Sequence, residues 1–299
     1  MKRQLTSPEL SLHSLSIRTG TRRSPGMAPL RVLIGPLLVF GTLTAILALP
    51  ATASQTWVVS PGGPLTIQNA LIQAADGDEI LLTAGTFSGQ GNRGIDFMGR
   101  KVWVHSIDGP SACIIDAEGQ DRLFSFTGGE DASSVLEGVT LTNGHNGFEG
   151  GAIYLSNASP AIRNCHISGN SVGGFPCRGA GVFCAGSLPT FENSFISDNS
   201  GGDTHYGADG GGLYADEASS PFLQDCTISA NTVTGGVSGY TGLGGGIYCY
   251  AGVLVGCTVS GNSSYGVAGL RGGGIYCGPA TVANCVVSGN IAYAEGKGI

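Results

Sequence analysis

"GGGIYCGPATVANCVVSGN", residues 272–290, repeats with variation what the chain has just written at 244–262, "GGGIYCYAGVLVGCTVSGN". Looser copies run backward from there: "GGGLYADEASSPFLQDCTISAN" at 210–231, "GAGVFCAGSLPTFENSFISDN" at 179–199 and "GGAIYLSNASPAIRNCHISGN" at 150–170. Each ends on an asparagine, at 170, 199, 231, 262 and 290, so the spacings are 29, 32, 31 and 28 residues. A period of this size denotes a solenoid, a propeller or an array. The copies hold short β-branched and aromatic runs cut by Gly, Ser and Asn, with no 3.6-residue period. This predicts a β-solenoid rather than a helical repeat.

Aligning the copies orders their side chains into rows. The first aliphatic position is Ile153, Val182, Leu213, Ile247, Ile275, and two residues on come Leu155, Cys184, Ala215, Cys249, Cys277. Between them lie Tyr154, Phe183, Tyr214, Tyr248 and Tyr276. Strand side chains alternate faces, so the aliphatic and cysteine rows are predicted to point inward and the aromatic row outward. A second strand places Cys165, Ser194, Cys226, Cys257, Cys285 and then Ile167, Ile196, Ile228, Val259, Val287 on the inner face. Coils of a parallel solenoid stack ~4.8 Å apart. The terminal asparagines are therefore expected to form an internal ladder, bonding side chain to backbone at a tight turn. The nine cysteines show no zinc-site spacing. As small hydrophobes in stacked inner rows, pointing in parallel, they are expected to be free buried thiols.

The composition agrees. There are 52 glycines, 12% charged residues and a hydrophobic fraction of 41%, which suits short strands and turns rather than disorder. Residues 1–31 carry Lys2, Arg3, Arg18, Arg22, Arg23 and Arg31, followed by the apolar run "VLIGPLLVFGTLTAILALP" at 32–50 and the small-x-small triplet Ala51-Thr52-Ala53. Residues 1–53 read as a signal peptide, with Met27 an alternative start and an uncleaved membrane anchor the competing reading. Removing them leaves 8 basic residues against 20 acidic ones. That balance argues against nucleic acid and anionic membrane surfaces as partners, and for a secreted or cell-surface location.

Residues 54–100 are expected to form an N-terminal cap and the first strands. "TIQNALIQAADGDEI", 66–80, has Ile67, Ala70, Leu71 and Ala74 on one helical face, with Thr66 as N-cap and Gly77 just past the end. A helix here would cover the first coil. "EILLTAGTF", 79–87, reads as one strand. Residues 101–299 read as the parallel solenoid, irregular to 144 and regular from about 150.

The segments "TIQNALIQAADGDEILLTAGTF", "GNRGIDFMGRKVWVHS", "GPSACIIDAEG" and the "GGGIY…NC…ISGN" repeats resemble the bacterial right-handed parallel β-helix proteins of the pectate-lyase-like superfamily, over nearly all of 56–299. The Gly-Gly-x-Ile repeat is also similar to the passenger repeats of polymorphic outer-membrane proteins, whose accompanying Phe-x-x-Asn is approached only by "FENS" at 191–194. The resemblance implies an all-β fold, an extracytoplasmic location and, in some members, lyase, hydrolase or esterase activity on polysaccharides. Of the Asn-Thr-Asp, Asp-Asp, Gly-His-Gly and Arg-Ile-Lys signatures of the resembling hydrolases none occurs, "GHN" at 144–146 being the nearest.

One charged column recurs, four residues before each first aliphatic position: Glu149, Arg178, Asp209, Leu243, Arg271 and then Glu295. Glu149, Arg178 and Asp209 could act as acid/base and substrate clamp. The competing reading is a ladder of cross-coil ion pairs. His145, His166 and His205 share no column and read as surface residues. The row Tyr154, Phe183, Tyr214, Tyr248, Tyr276 is a candidate sugar-stacking platform, unless the variable loops between copies cover it. No metal site or cofactor is expected.

The leading expectation is a structural, adhesive or glycan-binding protein, with extracellular polysaccharide as partner. The alternative is a polysaccharide-active enzyme. The final "EGKGI" puts Ile299 in register with Ile275, at the first inward position of a new coil. The solenoid is therefore expected to continue beyond this sequence, or to be completed by a partner or by self-association.

Overall fold

The computed structural model describes residues 53–202, 207–236, 242–266 and 270–294. The segment read as a signal peptide (apart from residue 53), His205, Glu295 and residues 296–299 lie outside the described residues. Among the described residues no helix is long and apolar enough to cross a membrane.

The chain winds into a right-handed parallel β-solenoid of about seven turns. Each regular coil contributes four short strands, one to each of four parallel sheets. In the coil that begins at Gly150 these are Ile153–Ser156 (seven-stranded sheet), Ala161–Arg163 (nine-stranded), His166–Ser168 (eight-stranded) and Ser171–Val172 (six-stranded). The expectation of two strands per copy was thus half the number, because strands of two or three residues carry no readable alternation. "EILLTAGTF" is likewise two strands, Glu79–Leu82 and Gly85–Phe87, on different sheets.

Strands so short need sharp corners, and the sequence supplies left-handed residues at two of them in each regular coil. Asn164, Asn193, Asp225 and Asn284 have φ of 48–55°, each directly before an inward Cys or Ser. Asn and Asp tolerate this region because a short polar side chain bonds locally. A second corner, before each ladder asparagine, uses Gly169, Asp198, Ala230, Gly261 and Gly289.

The register matches the aligned copies: Ile153 pairs with Val182, Val182 with Leu213, Leu213 with Ile247 and Ile247 with Ile275. It also extends backward into the irregular coils, where Ile95 pairs with Phe124 and Phe124 with Ile153. The inner rows form one core up to the last described coil, where the predicted inward residues Cys277 and Val287 are exposed. Its early coils are filled by aromatics, with Phe97 and Phe126 at a centroid distance of 4.3 Å, and the later ones by aliphatics and cysteines. Cys113, Cys165, Cys184, Cys226, Cys249, Cys257, Cys277 and Cys285 are free thiols, and of the nine cysteines most point into the solenoid. Seven are buried, Cys285 is half-buried and Cys277 is exposed in the last described coil. Burial raises the thiol of Cys165 to about 12 and pushes Cys184 upward as well, so these thiols are held neutral.

The helix Ile67–Gln73 starts as expected, Thr66 Oγ accepting the Asn69 N–H, and ends at Ala74, before Gly77. Ile67, Ala70 and Leu71 are buried in the core of the first turn.

The asparagine ladder is internal and continuous. Asn170 Nδ2 donates to Asn199 Oδ1, Asn199 to Asn231, Asn231 to Asn262 and Asn262 to Asn290, each at 2.9 Å. The second Nδ2 hydrogen reaches a backbone carbonyl in the preceding coil: Leu141, Ile167, Ile196, Ile228 and Val259 in turn. Each Oδ1 from Asn199 onward also accepts the backbone N–H of the preceding ladder residue, at 3.0–3.1 Å. The ladder bears on the third glycine of the later copies. At Gly212 a Cβ would sit 3.0 Å from Asn231 Nδ2 and 2.7 Å from the Gly246 carbonyl. The third glycine is thus the space that the asparagine amide of its own coil occupies.

Candidate functional site

The outward face of the seven-stranded sheet carries both residue sets singled out from the sequence. The aromatic row is in register, coil on coil. Successive centroids from Tyr154 through Phe183, Tyr214 and Tyr248 to Tyr276 are 5.1, 5.4, 4.8 and 5.4 Å apart, with planes within 21° of parallel. The rings therefore stack on one another along the solenoid axis. Phe183 and Tyr214 are buried, at 4% and 8% exposure, although they point away from the core. The row presents edges and hydroxyls to solvent, not ring faces. Which way a ring turns depends on its neighbours' side-chain torsions, and strand alternation does not report it.

The charged column is also in register: Glu149 with Arg178, Arg178 with Asp209, Asp209 with Leu243 and Leu243 with Arg271. Arg178 Nη1 lies 3.5 Å from Glu149 Oε1, and its guanidinium sits 5.2 Å from the Tyr214 ring centroid. Arg122 covers Tyr154 in the same way at 4.5 Å. Asp209 Oδ1 accepts the Leu243 N–H at 3.2 Å. Burial raises the Asp209 carboxyl to about 6, against the opposing pull of that N–H and of Arg178. Burial likewise raises Glu149, against Arg178 and Arg122. Glu149, Arg178 and Asp209 are each engaged by a protein partner, which is what a structural ladder requires.

Beside the stack lies a cleft of ≈ 350 Å³ lined by Tyr214, Asp216, Glu217, Ala218, Tyr248 and Tyr250. Tyr250, two residues beyond Tyr248 and just past the end of the strand Ile247–Cys249, is 48% exposed. Asp216 builds the turn, its Oδ1 accepting from Gly186 N–H, Ala218 N–H and Ser219 Oγ. Glu217 is exposed at the rim. Tyr250 is the residue that sequence reasoning missed here: the aligned position holds Ser156, Ala185, Asp216 and Gly278, so no row marked it.

A second cluster, on the nine-stranded sheet, was not anticipated either. His105 Nε2 meets Glu79 Oε1 at 2.5 Å, and Thr56 Oγ1 donates to the other oxygen of that carboxylate. The Thr56 and His105 bonds lower the Glu79 carboxyl. The Trp103 indole stacks on the His105 ring at 3.7 Å, and its Nε1 donates to Glu137 Oε2 at 3.1 Å. Asn164 Nδ2 donates to Glu137 Oε1 at 2.9 Å. A cleft of ≈ 390 Å³ opens beside them. Of the histidines weighed from the sequence, His145 bonds Ser171 Oγ and His166 packs edge-on against Phe195. Among the described residues no group of three or more His, Cys, Asp or Glu is placed to hold a metal ion.

Residues 125–299 match the family model described as right handed beta helix region. Among solved structures, the crystal structure of pectate lyase Pel9A aligns with a TM-score of 0.47 and 16% identity, over 83% of this chain and 82% of that one. No curated protein matches.

Proposed function

We propose, for a chain that belongs to the right-handed β-helix family, that it is an exported, non-catalytic glycan-binding protein whose site is the tyrosine-lined cleft of the seven-stranded sheet. The observation that carries this reading is Tyr250, a half-exposed ring that stacks on no other ring among the described residues, set beside the Tyr214 and Tyr248 edges and the Glu217 carboxylate. A ring face against the apolar side of a pyranose, with tyrosine hydroxyls and a carboxylate for its hydroxyl groups, is the combination that holds a sugar. The stacked row of Tyr154, Phe183, Tyr214, Tyr248 and Tyr276 forms the rigid wall rather than the platform. Glu149, Arg178 and Asp209 hold the rim of that wall.

Export rests on the basic and apolar character of residues 1–50, together with the acidic balance of the remainder. A second reading, polysaccharide cleavage, is favoured by one observation: burial raises the Asp209 carboxyl to about 6, toward the range in which a general acid works.

Affinity electrophoresis in gels containing soluble polysaccharides, run beside a reducing-end assay and an unsaturated-product absorbance assay, tests both. Retention without turnover, reduced in Tyr250→Ala, is expected. Turnover that disappears in Asp209→Asn would establish the enzyme instead. Unretarded migration in every polysaccharide, or retention unchanged in Tyr250→Ala, would remove the binding reading.

A further inference from the structure

The cluster on the nine-stranded sheet has the marks of a built site. Glu79 and Trp103 are register neighbours on adjacent coils, and so are His105 and Glu137. The His105 side chain is only 4% exposed, fixed by Glu79 and roofed by the indole. Trp103 is fixed twice, by its stack on His105 and by its Nε1 bond to Glu137, yet it remains 41% exposed. An apolar surface held rigid before a ligand arrives loses little entropy on binding.

Glu137 is the polar centre. Its two oxygens accept from neutral donors, Trp103 and Asn164, and among the described residues it forms no ion pair. The nearest arginine on its column, Arg163, is taken by Glu192 at 3.1 Å. Each carboxylate oxygen keeps acceptor capacity for a second donor. Ile107 and Pro110 complete an apolar wall. The cleft thus presents acceptors beside a flat apolar surface. Glu79, Glu137 and Glu192 lie on every second coil of the sheet, and Glu137, which has no cationic partner among the described residues, repels an anionic ligand.

We propose that the Trp103–Glu137–Asn164 cleft is a second glycan subsite, taking an uncharged sugar unit whose neighbouring hydroxyls donate to the Glu137 carboxylate while its apolar face lies against the indole. This site stands on a different sheet from the tyrosine cleft and does not depend on it.

The chain has two tryptophans, Trp57 and Trp103, and Trp103 is the exposed one. Quenching of tryptophan fluorescence by acrylamide, a neutral quencher that the carboxylate does not repel, therefore reads mainly this cleft in the intact protein. The probes are the neutral tetrasaccharides of β-linked glucose, mannose and xylose, with glucuronic acid and glucosamine as charged arms. At least one neutral tetrasaccharide should protect the fluorescence by about 10 mM. Glu137→Gln should weaken that protection roughly tenfold, as expected for one charge-assisted hydrogen bond. Tyr250→Ala should leave it unchanged. The proposal is overturned if no neutral saccharide protects, if glucosamine or glucuronic acid alone does, or if Glu137→Gln binds as the wild type does. It is also overturned if Tyr250→Ala abolishes protection, which would assign the signal to the tyrosine cleft. Gel retention lost in Tyr250→Ala with fluorescence protection intact separates the two sites, and gel retention unchanged in Tyr250→Ala touches the tyrosine reading alone.

Discussion

Replacing Asn231 by alanine removes four side-chain hydrogen bonds from a residue with no exposed surface. Its Oδ1 accepts the Asn199 N–H at 3.1 Å and Asn199 Nδ2 at 2.9 Å, and its Nδ2 reaches the Ile196 carbonyl at 2.8 Å and Asn262 Oδ1 at 2.9 Å. The backbone N–H of residue 231 keeps its acceptor, Asn262 Oδ1. What is left bare is the Asn199 N–H, in a site that water does not reach. An unsatisfied buried donor costs about 1–3 kcal/mol, and the other lost bonds about 1 kcal/mol each at most. The expected loss is ~3–5 kcal/mol, a large part of the ~5–15 kcal/mol that holds a typical domain. Urea titration followed by circular dichroism measures it. Because a solenoid can unfold coil by coil, native-state hydrogen exchange should accompany it, with the Asn199 amide losing protection first. A loss below about 1 kcal/mol, with the Asn199 amide as protected as before, would refute the ladder's role in stability. Asn290→Ala, at a half-buried position, should cost less.

The residue beside the ladder should respond in the opposite sense. Ala230 is held at φ 54°, where the equivalent residues are Gly169, Asp198, Gly261 and Gly289, so Ala230→Gly should stabilise by about 1 kcal/mol in the same titration. A destabilised variant would contradict the strain. Asp209 is raised from 3.8 to about 6, so the folded state holds that proton more tightly than the unfolded chain does. Its contribution is present in acid and is lost as pH rises from about 4 through 6, by at most about 3 kcal/mol. Asp209→Asn should therefore match the wild type near pH 4 and exceed its urea midpoint above pH 7, and an advantage that is flat with pH would count against this. Arg178→Ala gives up a half-exposed ion pair and a cation–π contact, together about 1 kcal/mol, and should leave glycan retention in place. Retention lost with the fold intact would move Arg178 into the binding site.

The repeats made the solenoid, its inner rows and its ladder legible, because a parallel stack forces identical jobs onto positions one coil apart. Ile153 and Ile275 are separated by four coils and do the same thing. What could not be read depended on relations other than repetition. The triple glycine suggested turns, whereas Gly212 clears room for the Gly246 carbonyl of the next coil and for an amide nineteen residues later. The tyrosine row was visible, but the turning of its rings toward one another was not. Glu79, Trp103, His105 and Glu137 lie in coils whose sequences do not resemble the later copies. Counting the register backward from Val135 and Ala161 would have been the only signal that set them side by side.

The asparagine ladder also has a direction. In all four steps the earlier residue's Nδ2 donates to the later residue's Oδ1, and Gly144 N–H donates into the first member, Asn170. The five amide dipoles are therefore aligned head to tail, with their negative ends toward the N-terminal coils. Hydrogen bonds in such a chain polarise one another, by about 10–30% per bond. The interior thus carries a one-way electrical polarity along its axis, and each amide is stronger for the presence of the others. A break at Asn231 leaves two rows of two, each weaker than its share of the five, whereas a break at Asn170 or Asn290 only shortens the row by one.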